Sequence, residues 1–139
     1  MRVLLIIVLI SITLASVDLT GFHVIKDFSN PILDIPRGEK FAFELVSNPT
    51  TGFDWYIVNA DELTKESCLI FFRSKADNLG YYEPKKKPVE MVGVGGKTFF
   101  KFQNANSIEE TKTILIKLVY KRPWEETFIS SLNLSVKLL

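Results

Sequence analysis

Every second residue is apolar in three separate stretches of the chain. Over Lys40–Leu45 the apolar set is Phe41, Phe43 and Leu45. Over Thr113–Tyr120 it is Ile114, Ile116, Leu118 and Tyr120, and in the tail it is Leu132, Leu134, Val136 and Leu138. A two-residue period puts one set of side chains on one face of an extended strand, so each stretch reads as a half-buried β-strand. Leu19–Ile25, Phe53–Val58, Cys68–Ser74 and Thr98–Gln103 are further strand candidates. No long segment keeps a 3.6-residue period, and Asp61–Glu66 has room for a single helical turn. Tyr81–Pro88 is the most loop-like stretch, because two prolines and three adjacent lysines oppose a central strand.

Seven or eight short strands in about 120 residues predict an all-β fold, an immunoglobulin-like antiparallel β-sandwich. Composition agrees with one domain. The 139 residues are 47% hydrophobic and 24% charged, and eleven Phe, four Tyr and two Trp can fill a core. Antibody-type cysteine pairing is excluded, since Cys68 is the only cysteine. It stands in the apolar run Ser67–Phe72 and reads as a buried structural thiol. The net charge of +1 gives no basic footprint for a nucleic-acid partner.

The amino-terminal residues add a location. Arg2 precedes an almost unbroken apolar run from Val3 to Leu14, followed by the small residues Ala15 and Ser16. That is the make-up of a secretory signal peptide, and the run is shorter than the roughly 20 residues of a membrane span. Cleavage is expected after Ala15 or Ser16, giving a signal peptide over 1–16 and a mature domain over 17–139. No membrane partner is expected once the leader is gone.

Catalytic chemistry finds little support. His23 is the only histidine, so a Cys68–His23 nucleophilic pair is formally available, but nothing around either residue suggests one. One His and one Cys do not make a usual zinc ligand set, and no metal or other cofactor is expected. Gly95-Gly96-Lys97-Thr98 resembles the end of a phosphate-binding loop. That pattern needs a glycine at position 91, which is Met, and a helix after it, where Phe99–Phe102 reads as a strand. Asn133-Leu134-Ser135 is a glycosylation sequon within the last strand.

Three segments at strand ends remain. In Asn48-Pro49-Thr50-Thr51-Gly52-Phe53, Pro49 fixes its own φ and restricts Asn48, the threonines are stiff, and Gly52 can take a positive φ. The result is a rigid uncharged loop, which by itself reads as an ordinary well-made turn. Met91–Gly96 carries three glycines that allow close backbone approach. Arg122-Pro123-Trp124 follows the Thr113–Tyr120 strand. Trp124 can act there as an exposed interface anchor, or it can fold back to cap the core under Arg122.

Together these segments resemble the chagasin family of cysteine peptidase inhibitors. Asn48-Pro49-Thr50-Thr51-Gly52-Phe53 matches the family's first motif, Gly93-Val94-Gly95-Gly96 its G-x-G-G motif, and Arg122-Pro123-Trp124 its R-P-W motif, in the family's order. The resemblance implies a sandwich whose three loops plug the active-site cleft of papain-like peptidases, of the cathepsin L and B type. It implies a reversible 1:1 complex with a monomeric inhibitor that is not an enzyme. Asn48–Phe53 would enter the cleft, flanked by Gly93–Gly96 and by Arg122–Trp124. The secretory route then leads to lysosome-like or phagosomal vesicles, or to secretion. The competing expectation is an immunoglobulin-like adhesion or receptor-binding module that leaves cysteine peptidases untouched.

Overall fold

The computed structural model describes residues 16–85 and 95–139. The expected leader up to Ala15, the stretch Lys86–Pro88, and Gly93 and Val94 lie outside the described residues. In chain order the strands are β1 (Phe22–Ile25), β2 (Ile32–Ile35), β3 (Lys40–Ser47), β4 (Asp54–Ile57), β5 (Leu69–Phe72), β6 (Tyr81–Pro84), β7 (Gly96–Asn104), β8 (Lys112–Lys121) and β9 (Ser130–Leu138). One helix, α1 (Ala60–Lys65), occupies the expected helical turn.

The strands form two facing sheets. The first has the order β1-β3-β7-β5, with β6 also paired to β7, and the second the order β2-β9-β8-β4. Alternation accounts for the layer between them. Phe41, Phe43 and Leu45 of β3 and Phe100 and Phe102 of β7 point inward from the first sheet, and Ile114, Ile116, Leu118, Leu134, Val136 and Leu138 meet them from the second. The Phe41 and Phe102 rings stack with centroids 5.5 Å apart, and Phe71 stacks on Phe102 at 4.7 Å. Losing one such fully buried ring costs about 3–5 kcal/mol.

Four expectations are refined. Nine strands are present among the described residues, where seven or eight were expected. The additions are β2, whose four residues are too few to show a period, and β6. Pro84 is tolerated because β6 is a four-residue edge strand bonded only to β7, and only its last position is a proline. The sheets are mixed rather than purely antiparallel: β1 runs parallel to β3, and β2 parallel to β9. The physical reason is connectivity, since the chain leaves the first sheet after β1, forms β2 in the second, and returns for β3. Finally, Cys68 is half-buried against the core edge rather than enclosed by it.

Candidate functional site at one end of the sandwich

β3 ends, β4 begins, β7 begins and β8 ends at the same end of the sandwich, and this pairing pattern gathers the three motif segments. Ser47 of β3 stands opposite Gly96 of β7, and Asp54 of β4 opposite Lys121 of β8. The Asn48–Phe53 loop therefore begins beside Gly96 and finishes beside Arg122.

The loop folds on itself. Pro49–Thr51 wind into one 3-10 turn, with Gly52 left-handed at φ 88° behind them. The amide of Thr51 donates to Asn48 O at 3.0 Å, and that of Gly52 to Pro49 O at 2.9 Å. The Thr51 hydroxyl donates to the same Asn48 carbonyl at 2.7 Å, and the Thr50 hydroxyl donates to Asn48 Oδ1. Both threonine hydroxyls are thus spent on stiffening the loop. Below it, the amide of Asn48 donates to the Tyr120 hydroxyl at 3.2 Å.

On one flank the Phe53 ring stacks on Tyr120 at 5.6 Å, and the Arg122 guanidinium lies over it at 4.4 Å. Trp124 lies against Gly52, where a Cβ would sit 2.9 Å from Trp124 Cη2. Trp124 is 71% exposed and does not cap the core. Arg122 lies over the Phe53 ring and also over the Trp124 ring, whose centroid is 6.0 Å away. Arg122-Pro123-Trp124 is itself a turn: the Glu125 amide donates to Arg122 O at 3.2 Å, and Lys121 Nζ donates to Glu125 O at 2.9 Å.

On the other flank Gly95 is buried with φ 82°, and a Cβ there would sit 2.9 Å from Ser47 O and 3.1 Å from Asn48 Cβ. At Gly96 a Cβ would fall 2.1 Å from Glu83 O. Both glycines are required by close backbone approach, as their sequence pattern suggested. The structure so brings Asn48, Pro49, Thr50, Thr51, Gly52, Phe53, Gly95, Gly96, Arg122, Pro123 and Trp124 to one end.

Sequence reasoning missed three contributors. Tyr120, read as the last inward residue of a strand, joins the loop through its hydroxyl and packs on both Phe53 and Trp55. Val46 stands 81% exposed two residues before Asn48. Beneath the loop, Thr98 Oγ1 donates to Asp54 Oδ1 at 3.0 Å, so the Ser47 hydroxyl donates in turn to Thr98 at 2.7 Å. Burial pushes the Asp54 carboxyl above its usual range, against the lowering effect of hydrogen bonds from Trp55 N and Thr98. The only signal for this chain of groups was that Ser47 and Thr98 stand where alternation expects apolar residues.

The residues considered for catalysis are occupied elsewhere. His23 Nδ1 lies 3.3 Å from Glu39 Oε2, and the Cys68 thiol lies 3.9 Å from Glu66 Oε1. Burial, then the Glu66 charge, pushes the Cys68 thiol up, which disfavours the nucleophilic thiolate. Among the described residues no three His, Cys, Asp or Glu side chains gather to hold a metal.

A β-sandwich that presents a stiffened loop between two buttresses is the architecture of a protein-binding scaffold. The sequence profile of the Chagasin family peptidase inhibitor I42 matches residues 34–136, and the chain belongs to that family. It is 29% identical over 101 residues to chagasin of Trypanosoma cruzi, covering 73% of this chain and 81% of that one. It is 28% identical over 113 residues to amoebiasin-1 of Entamoeba histolytica, covering 78% and 94%. In fold it is similar to the cysteine protease inhibitor EhICP2 from Entamoeba histolytica, with a TM-score of 0.60 at 24% identity over 85% of this chain and 96% of that one. The members of the family are peptidase inhibitors, and relatives of this chain include inhibitors of cysteine proteases.

Proposed function

We propose that the chain is a reversible inhibitor of papain-like cysteine peptidases, of the cathepsin L and B type. It plugs the active-site cleft in a 1:1 complex with Asn48–Phe53 at the centre and Gly93–Gly96 and Arg122–Trp124 on either side. The observation that carries this reading is the convergence of all three described motif segments on one loop end, with Trp124 exposed beside Gly52. The family membership supports a peptidase as the target, and the geometry is compatible with the following mechanism.

Inhibition needs occupancy without cleavage. The wound Pro49–Thr51 backbone and left-handed Gly52 offer no extended peptide bond to an attacking thiolate, which has to approach to about 3–3.5 Å in line. The loop is ordered before it meets a partner, so it avoids an ordering cost of about 0.5–1.5 kcal/mol per side chain. Trp124 supplies a large rigid anchor, and the loop itself carries no charge whose desolvation would oppose entry. The apolar leader fits delivery through the secretory pathway to lysosome-like or phagosomal vesicles, or outside the cell, where such peptidases work.

Titration of papain with the protein, beside a serine protease as control, tests the proposal. Stoichiometric loss of papain activity with the serine protease untouched is the expected result. Undiminished papain activity at micromolar inhibitor would overturn it. Thr51→Glu, which puts a charge at the loop tip, is expected to weaken inhibition while the fold persists.

A further inference from the structure

The segment that follows the expected leader is tied down from its first described residues. Ser16, Val17 and Asp18 run over the outer face of the first sheet beside Tyr81, Tyr82 and Lys101. Lys101 Nζ donates to Asp18 O at 3.1 Å while lying over the Phe22 and Tyr81 rings, 4.8 and 4.6 Å from their centroids. The backbone nitrogen of Val17 donates to Glu83 Oε1 at 3.0 Å, across 66 residues of sequence.

Among the described residues, the charge of Glu83 meets a backbone amide and no cation. Lys97 stands opposite Glu83 in the ladder, but its Nζ lies 3.4 Å from Glu44 Oε2. Lys101 is engaged as described, and Lys85 follows two residues on as an exposed side chain. The other ionisable groups beside the amino-terminal segment are Asp18, whose carboxylate accepts the Thr20 amide, and the phenols Tyr81 and Tyr82. Among the described residues no cation reaches ion-pair distance of Glu83.

We propose that Glu83 is a docking site for a primary ammonium, namely the chain's own α-amino group after the leader is removed. Hydrolysis at the 15–17 junction consumes one water. The leader departs with the new carboxylate, and the nitrogen left behind takes up protons as an α-ammonium. A cut after Ser16 puts that charge on the very nitrogen that lies 3.0 Å from Glu83 Oε1. A cut after Ala15 puts it one residue earlier, within about 3.8 Å along the chain. A neutral amide becomes an ion pair without any change of fold.

The pair has a structural consequence. β6 is bonded to β7 alone, and Lys85 N donates to Gly95 O at 2.8 Å just beyond its end. Pinning Glu83 holds the edge strand against which Gly95 and Gly96 are packed, so leader removal tightens one buttress of the loop end.

The test compares chains beginning at Val17 and at Ser16 with an N-acetylated Val17 chain, each with and without Glu83→Gln. NMR titration of the α-amine is expected to give a value clearly above the ordinary range of about 7.7–8.0 in the Val17 chain, and a return to that range in Glu83→Gln. A folded value raised in this way stabilises the fold at neutral pH, and the gain is lost as pH rises through it. The free-amine chain is therefore expected to melt above the acetylated one, with the difference removed by Glu83→Gln. An ordinary α-amine value in both the Val17 and Ser16 chains, or an equal acetylation effect with and without Glu83, would overturn the proposal. So would a mature amino terminus other than Ser16 or Val17 in mass spectra of the full chain exported by a eukaryotic cell. No peptidase enters these measurements, so their outcome is independent of the inhibitory reading.

Discussion

Where β7 and β9 finish, asparagine side chains reach across the fold. Asn104 Nδ2 donates to the carbonyls of Ile35 and Pro36 at 2.9 and 3.1 Å and approaches that of Leu139 at 3.4 Å. Asn106 Nδ2 donates to Glu110 O and Leu138 O. Both residues are buried, and the partners of Asn104 lie up to 69 residues away. At the opposite end, the hydroxyl bonds of Thr50 and Thr51 within the loop span two or three residues, a long-range bond ties the Asn48 amide to Tyr120, and the largest side chain faces solvent. The first end joins distant segments and hides its polar groups. The second winds its exposed tip with short-range bonds, is anchored from below by Tyr120 and Thr98, and keeps Trp124 outside. Long-range buried bonds serve stability, since an orphaned carbonyl there is costly, whereas short-range bonds shape a surface without committing the core.

That contrast can be broken by substitution. Asn104→Ala removes the side-chain bonds to Ile35 O and Pro36 O and takes the acceptor from the buried Asn106 amide, and is expected to cost about 2–4 kcal/mol in urea unfolding. Its inhibition constant for papain should stay unchanged while the protein is folded. Weakened inhibition in step with stability would show that the two ends are not separable. Trp124→Ala is expected to do the reverse, raising the inhibition constant roughly 30-fold, about 2 kcal/mol, with an unchanged unfolding midpoint. Gly52→Ala sits between these cases. It forces a left-handed alanine at a cost of about 1–2 kcal/mol and pushes a methyl group into Trp124, so both readouts should move.

The smallest effect is electrostatic. Asp54 has a folded pKa above its unfolded value, so the folded state binds more protons between the two. Its contribution therefore makes the protein more stable as pH falls through the raised value, and the gain is complete below the ordinary carboxylate range. Stability curves against pH for wild type and Asp54→Asn should diverge in that acid window, with the wild type showing the extra gain. Parallel curves would remove Asp54 from the account.

The strands that carry the core were legible because β3, β8 and β9 each run eight or more residues with inward Phe, Ile, Leu and Val. β2 has four residues and β6 ends in proline, so neither repeats often enough to be seen. Parallel pairing leaves no trace in a two-residue period. The motif segments were legible as turns, through Pro49, Gly52, Gly95 and Pro123. Their meeting at one end depends on ladder register, as do the contacts of Tyr120 and the chain from Ser47 to Asp54. Asn104 and Asn106 were invisible for a simpler reason: an isolated asparagine reads as a turn residue whether it faces water or three carbonyls.

The three loops have different attachments. β6 and β7 both belong to the first sheet and β8 and β9 both to the second, while Asn48–Phe53 passes from β3 in one sheet to β4 in the other. The central loop is thus a rivet through both plates of a laminate, with one washer fixed to each. If the plates shear, rivet and washers fall out of line together. The loop end is in this sense a gauge of alignment across the whole sandwich.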